Sequence, residues 1–427
     1  MKAFQNKIVI FLFVLTLSAS SMTFAQDMPG AEPGTVGVSA ERLDRLDAVF
    51  QEYVDEGRLP GSVILISREG KVIYHEAFGR KDLESGSPMK VDSIFRIASQ
   101  TKALVSVGIM ILQEEGRLLI TDPVGKYIPE FNETTVAEPR EDGGYNIVKA
   151  NRRITIRDLL THTSGISYGN GPAGDMWEEA GIQGWYFADR DEPIAETVRR
   201  MAALPFDAHP GESWIYGYNI DILGVVIEQA SGESLDTFLK EKILDPLRMQ
   251  DTHFYLPESK VDRLATVYSA GENGNLERAP SPGGMVGQGE YVNGPRKSFS
   301  GGAGLLSTAE DYAGFLQMML NGGELNGRRV LSRKSVELMT VDHLNGIEYQ
   351  PGYGFGLGFR VVKDLGARGI LGSVEEYSWG GAYHSTYWVD PREQLVVVYF
   401  TQLIPAGEVD DYGKLRALLY QALESAN

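Results

Sequence analysis

Ser99 and Lys102 are the residues of this 427-residue chain whose types and spacing point most directly to chemistry. They lie in Phe95-Arg96-Ile97-Ala98-Ser99-Gln100-Thr101-Lys102, ahead of a run from Ala103 to Glu115. Leu104, Val105, Val107, Ile109, Met110, Ile111 and Leu112 leave that run no polar face, so it reads as a buried helix with Gly116 as its stop. Ser99 then falls at the helix start, where free N–H groups and the positive dipole end favour negative charge. Lys102 comes three residues on and shares its face. A serine beside a lysine at the mouth of an apolar helix suits a nucleophile next to its proton acceptor. The same pair also suits a helix cap and a lysine that snorkels to water.

Ser-x-x-Lys alone is not specific, since composition gives roughly one or two chance matches in a chain this long. Ser87-Pro88-Met89-Lys90 is such a match, inside a Gly/Ser/Pro stretch with no apolar helix behind it, and it reads as a loop. Other residues have chemical potential. Tyr216 follows a turn and precedes a helix; near a lysine it would ionise more easily and shuttle protons, and otherwise it is a buried tyrosine. Trp379-Gly380-Gly381 opens a strand, where paired glycines mark either a bulge or close approach by a ligand or backbone that can offer an N–H to an oxyanion. Gly165-Ile166-Ser167-Tyr168-Gly169 matches Gly-x-Ser-x-Gly, but a helix precedes it where that elbow needs a strand. His162, His209, His253, His343 and His384 show no metal-ligand spacing. His384 is expected in a strand, facing away from Trp379.

Periodicity supplies the scaffold around these residues. Ser39 caps a helix over 40–56, with Leu43, Leu46, Phe50 and Tyr53 on one face. Ser62 to Ser67 and Lys71 to Phe78 flank a Glu69-Gly70 turn as a hairpin. Residues 131–153 read as a surface excursion and Thr155 to His162 as a short helix. Residues 167–193 form an irregular stretch whose Tyr168, Trp177, Trp185, Tyr186 and Phe187 either line a pocket or pack on the helices. Helices are expected after Asn219 and over 235–247, then a Gly-rich loop over 271–304 and a helix over 308–320. Strands are expected at 355–362, 377–389 and 394–401, with a last helix over 409–426. Strands at both chain ends and helices between argue against a doubly wound parallel fold.

Composition bounds the function. The formal charge of −18 makes nucleic acid and anionic membranes poor partners, and the absence of cysteine excludes disulfides and thiol catalysis. Met1 to Ala25 reads as a signal peptide: Lys2 and Lys7, an apolar run from Ile8 to Ala19, then Thr23-Phe24-Ala25. The run is short for a membrane span and no later segment is apolar enough, so the expectation is an exported protein, periplasmic or extracellular, with no membrane insertion.

Several of these stretches stand in one order: Phe95 to Lys102, Thr155 to Gly165, Pro210-Gly211 through Tyr216 to Gly224, Gly302 to Ser307, and Trp379-Gly380-Gly381 with Asp390-Pro391. The ordered set resembles the serine β-lactamase-related superfamily, in its class C β-lactamase and carboxylesterase branch, from about Ser39 onward. The resemblance implies an α/β fold of the α+β type: an antiparallel sheet flanked by helices (about 39–95 and 300–427), a mostly helical part (about 96–299), and a site where they meet, all in one catalytic unit over 26–427. It implies Ser99 as nucleophile, Lys102 as its proton partner, Tyr216 as shared acid and base, and an oxyanion hole from the N–H groups of Ser99 and Ala382. Trp379, Gly380, Gly381, Tyr218 and Asn219 are the implied substrate-binding residues, and no metal or cofactor is implied. The chain departs from the class C pattern twice. Tyr218 stands where asparagine follows the tyrosine by two, with Asn219 one later, and Trp379 replaces the lysine of Lys-Thr-Gly. An aromatic surface in place of a cation suits neutral esters and points to a carboxylesterase on small neutral esters, with a small-molecule ester or amide as the expected partner. The alternatives on the same scaffold are a β-lactamase or D-amino-acid peptidase and a penicillin-binding module that acylates without turnover.

Overall fold

Strand β1 (Gly61–Arg68) is buried along its whole length because its alternate residues serve two different cores. Val63 and Leu65 face one, Ile64 and Ile66 the other. A strand covered on both sides reads as a continuous apolar run, as this one does. The computed structural model describes residues 28–271 and 274–425. The expected signal peptide, Met1 to Ala25, lies outside them. No helix among the described residues is long and apolar enough to cross a membrane.

β1 is central to an eight-stranded antiparallel sheet. Its other strands are β2 (Lys71–Asp82), β3 (Ser87–Pro88), β4 (Tyr353–Phe355), β5 (Arg360–Val362), β6 (Tyr377–Gly381), β7 (Ser385–Asp390) and β8 (Leu395–Thr401). The order is β4-β5-β6-β7-β8-β1-β2-β3. The two chain ends meet where β1 pairs with β8, from Ser62 opposite Thr401 to Arg68 opposite Leu395.

One face of the sheet carries α1 (Ala40–Leu43), α2 (Arg45–Asp55) and a C-terminal helix, Asp411–Tyr420. Leu46, Phe50 and Tyr53 pack there with Leu415 and Leu419 against Tyr399 and Val397. Each such side chain taken out of water is worth about 1.5–3 kcal/mol. The other face carries α3 (Thr101–Glu114) and further helices, including α4 (Ile156–Leu160), α5 (Asn219–Ser231) and α6 (Ala309–Leu320). Val63, Leu65, Val396, Val398 and Phe400 meet that second, larger core.

Three expectations change in detail. The helix over 40–56 is broken at Asp44. Residues 131–153 contain a hairpin, Thr135–Pro139 with Tyr145–Lys149. The stretch 377–389 is two strands, and Ala382, Tyr383 and His384 make the turn between them. His384 takes φ 57° there, so it is a turn residue and not a strand residue. The turn contains no Gly, Asn or Pro, which is why the sequence reads through it.

Candidate active site

The chain enters the site through a short pairing of Phe95–Arg96 with Leu306–Ser307. A single 3-10 turn, Ala98–Gln100, then leads straight into α3. Ser99 therefore sits on the turn ahead of the helix, partly exposed, while Lys102 in the first helical turn is buried. Ala98, just before Ser99, is held at φ 42°, in a left-handed conformation that costs a non-glycine residue about 1–2 kcal/mol. Lys102 donates to Ser99 Oγ at 3.3 Å, to the Tyr168 hydroxyl at 3.1 Å and to the Gly302 carbonyl at 2.7 Å. Those three acceptors use all three ammonium protons.

Tyr216 reaches the same lysine with its ring face, 4.6 Å from Nζ to the ring centre. Its hydroxyl accepts a hydrogen bond from Trp379 Nε1 at 3.1 Å. The Tyr168 hydroxyl interacts in turn with that of Tyr216. Burial first, then the neighbouring Tyr216 and Asp221, push the Tyr168 hydroxyl well above the ordinary tyrosine range, so it stays protonated. Lys102, Tyr168, Tyr216 and Trp379 thus form one polar chain leading away from Ser99.

The sheet closes the other side. β5 pairs with β6 only at Tyr377 and Ser378, so among the described residues β6 from Trp379 to Gly381 has no strand on that side. Gly381 is there because of Ile97: a Cβ at Gly381 would lie 2.5 Å from the Ile97 carbonyl oxygen, on the turn that carries Ser99. The paired glycines thus record one backbone passing close to another. A cleft of about 470 Å³ lies between the two sides, lined by Ser99, Tyr168, Trp185, Tyr216, Trp379 and Ala382 among others.

A serine and a buried lysine under an open strand edge is an arrangement for acyl transfer, and relatives of the chain carry that activity in their names. The family model described as Beta-lactamase matches residues 46–422. This chain belongs to the Beta-lactamase family. It is 33% identical over 387 residues to Protein Rv1367c of Mycobacterium tuberculosis, covering 86% of this chain and 92% of that one. It is 32% identical over 378 residues to Esterase EstB of Burkholderia gladioli, covering 85% and 91%. Among solved structures it is similar to EstCE1, described as a hydrolase with promiscuous acyltransferase activity. The TM-score there is 0.75 at 28% identity, over 89% of this chain and 99% of that one. Family and fold together make the protein a serine hydrolase with an antiparallel sheet and flanking helices.

Within this member of the Beta-lactamase family, the substrate-binding expectation for Tyr218 and Asn219 is corrected. Both are fully buried and neither lines the cleft. The Tyr218 ring stacks on Trp177 and its hydroxyl donates to the Gly184 carbonyl at 2.8 Å. Asn219 takes a hydrogen bond from Ser164 Oγ and gives Nδ2 to His162 Nδ1 at 2.9 Å and to the Ile166 carbonyl. They fasten the start of α5 to the segment after α4. Ser167 is buried, and its Oγ accepts from Gly169 N, so it is no nucleophile elbow. Of the loop aromatics, Tyr168 and Trp185 line the cleft, while Trp177 and Phe187 belong to the core. The contact of Tyr168 with Lys102 was not legible, because nothing in an aperiodic loop tells which ring turns inward. Asp221, buried near Lys102, was also missed. Its signal was available: a carboxylate inside the apolar run Ile220 to Ile227 must find donors or a cation.

Proposed function

We propose that this chain is an exported carboxylesterase that works through an acyl-enzyme on Ser99, with Lys102 and Tyr216 as its acid–base pair. The observation that carries the reading is the contact of Lys102 Nζ with Ser99 Oγ, at the mouth of a cleft edged by the open side of β6. With the Lys102–Tyr216 group in the form that has released one proton, Ser99 Oγ attacks the ester carbonyl and gives its proton to that group, with Tyr168 as a bridging hydroxyl. The N–H groups of Ser99 and Ala382 receive the oxyanion, each such donor being worth about 3 kcal/mol. Tyr216, steadied by the indole N–H of Trp379, returns the proton to the departing alcohol. Water then repeats the sequence on the acyl-enzyme. Trp379 and Trp185 give the acyl or alcohol part an aromatic wall, which fits small esters, and Gly380 and Gly381 let the substrate lie along the backbone. Sheet and helical parts act as one catalytic unit with its cleft between them.

Short-chain acyl esters, D-alanyl peptides and a chromogenic cephalosporin, compared by kcat/KM on wild type and Ser99→Ala, test the reading. Esters turn over fastest, and Ser99→Ala is inactive on all. N-terminal sequencing of exported protein tests the leader: the chain begins at Gln26.

A second reading, β-lactamase or D-amino-acid peptidase, is favoured by one observation. Arg360 lines the same cleft, stacked on Tyr353 and hydrogen-bonded to Ser378 Oγ, and no carboxylate among the described residues is paired with it. A substrate carboxylate would find a partner there. Faster cephalosporin or peptide cleavage selects this reading, and a burst without steady turnover selects a penicillin-binding module.

A further inference from the structure

We propose that Asp221 is the buried counter-charge of Lys102, a positioning residue that sets the pH window in which the Ser99 machinery operates. The proposal rests on the acyl-enzyme reading above and adds to it a residue outside the cleft.

Asp221 is the third residue of α5 and is buried against the loop that carries Gly302. Its Oδ1 accepts from Ser300 Oγ at 2.6 Å and from Gly302 N at 3.0 Å. The carbonyl of the same Gly302 accepts from Lys102 Nζ at 2.7 Å. One residue is therefore gripped by the carboxylate at its N–H and by the lysine at its carbonyl. Only glycine fits there: a Cβ at 302 would come within 2.3 Å of Asp221 Oδ2.

Oδ2 itself is buried and has no hydrogen-bond partner. A protonated carboxyl would place its O–H on Oδ2, which has no hydrogen-bond partner among the described residues. The ionised form has better company: two donors on Oδ1, the first turn of α5 with its positive dipole end, and the Lys102 ammonium. Burial is the largest influence on the Asp221 carboxyl and leaves it above its ordinary value, while Lys102, then Ser300 and Gly302, oppose part of that rise. The other titratable groups around Lys102 are Tyr168, Tyr216 and His162. Burial and Lys102 hold His162 well below its ordinary range, so it is neutral. Asp221 alone among them is a carboxylate, and its charge also reaches Tyr168.

A negative charge beside the Lys102–tyrosine group favours the form that holds one more proton. Removing it makes that proton leave more readily, so both limbs of the pH profile must move down. Asp221→Asn keeps an acceptor at Oδ1 and deletes the charge. The expected result is a shift of both limbs of kcat/KM for ester hydrolysis to lower pH, by about one unit. Ser300→Ala, which removes one hydrogen bond and keeps the charge, leaves the limbs in place. A lower rate with unmoved limbs in Asp221→Asn overturns the proposal, because a purely structural role changes amplitude only. A serine-reactive fluorophosphonate separates the two readings: wild type unlabelled at Ser99 means the acyl-enzyme itself is wrong, whereas labelled wild type with unmoved limbs removes Asp221 alone. If Asp221→Asn does not fold, Lys102→Met decides by infrared spectroscopy. Without the lysine charge Asp221 takes up a proton, and a protonated-carboxyl band absent from wild type appears; no such band overturns the proposal.

Discussion

Ser87-Pro88-Met89-Lys90 and Ser99-Gln100-Thr101-Lys102 have the same spacing and opposite fates. In the first, Ser87 and Pro88 form β3 at the rim of the sheet, the Ser87 hydroxyl bonds to Ser85 Oγ, and Lys90 is exposed. In the second, a 3-10 turn runs into α3, and Lys102 is buried with its ammonium 3.3 Å from Ser99 Oγ. The difference lies in the backbone after the serine. Helical geometry returns residue i+3 to the same face, whereas extended chain sends it to the other side. Burial does the rest: water satisfies Lys90, while Lys102 must spend its three donors on protein acceptors. A pair of residue types is brought into buried contact only when the element behind it is apolar enough to be pulled inside.

The contrast is largest when both pairs are cut. Ser99→Ala is expected to lower kcat by at least about a thousandfold, and Lys102→Met by a similar factor, since the two act as a unit. Ser87→Ala and Lys90→Met leave the rate unchanged. Steady-state ester hydrolysis by the four variants measures this, and a rate loss in either upstream variant removes the contrast. Next in size is the seating of the turn. Gly381→Ala forces a Cβ to within 2.5 Å of the Ile97 carbonyl, and β6 and the Ser99 turn must separate. A displacement of that kind costs about a hundredfold in kcat. Gly116→Ala, at a left-handed C-terminal position with open space around it, should leave kcat alone and lower only Tm.

A smaller effect tests the bridging hydroxyl. Tyr168→Phe keeps the ring and removes the acceptor 3.1 Å from Lys102 Nζ. The expected loss is about tenfold in kcat with KM little changed, because the hydroxyl acts on proton transfer and not on substrate fit. A KM effect alone would mean that Tyr168 is only cleft wall.

How much of this was readable depended on whether a residue's role is set by local pattern. The burial of Lys102 beside Ser99 was readable because the run Leu104 to Leu112, interrupted only by Ser106 and Gly108, has no polar face, must be buried and carries its first turn with it. Strands at both chain ends were readable because Ser62 to Ser67 and Gln394 to Thr401 are strand-like, while their union in one sheet came from the family resemblance. Tyr218 and Asn219 were misplaced because they sit at the start of α5, which is buried all round, so no polar face told inside from cleft. The Tyr168 contact comes from an aperiodic loop, where tertiary packing decides which ring turns inward. The turn over 382–384 was hidden because residues with no turn preference are held in it by the two strands and by the His384 contact with Asp411 on the C-terminal helix.

The smallest expected effect concerns the surroundings of each lysine. Lys90 faces water, whereas the charge of Lys102 acts on His162, buried against Trp214, Tyr216 and Phe355. Burial, and then Lys102, hold the His162 imidazole well below its ordinary value of 6.5. The folded state therefore refuses a proton that the unfolded state accepts. Its contribution to stability is complete above about pH 6.5 and falls as the pH drops below it, by at most about 1.4 kcal/mol per pH unit for one proton. His162→Gln keeps an acceptor for Asn219 Nδ2 and removes the titration. Its Tm at pH 7 is lower, because the ring contacts are lost, but it falls less steeply than wild type between pH 6.5 and pH 5. Lys102→Met should flatten the same slope by a smaller amount, because one of the two causes is gone, while Lys90→Met leaves it as it is. Differential scanning fluorimetry at four pH values resolves the three slopes, and equal slopes for wild type and His162→Gln would mean that the imidazole does not couple folding to acid.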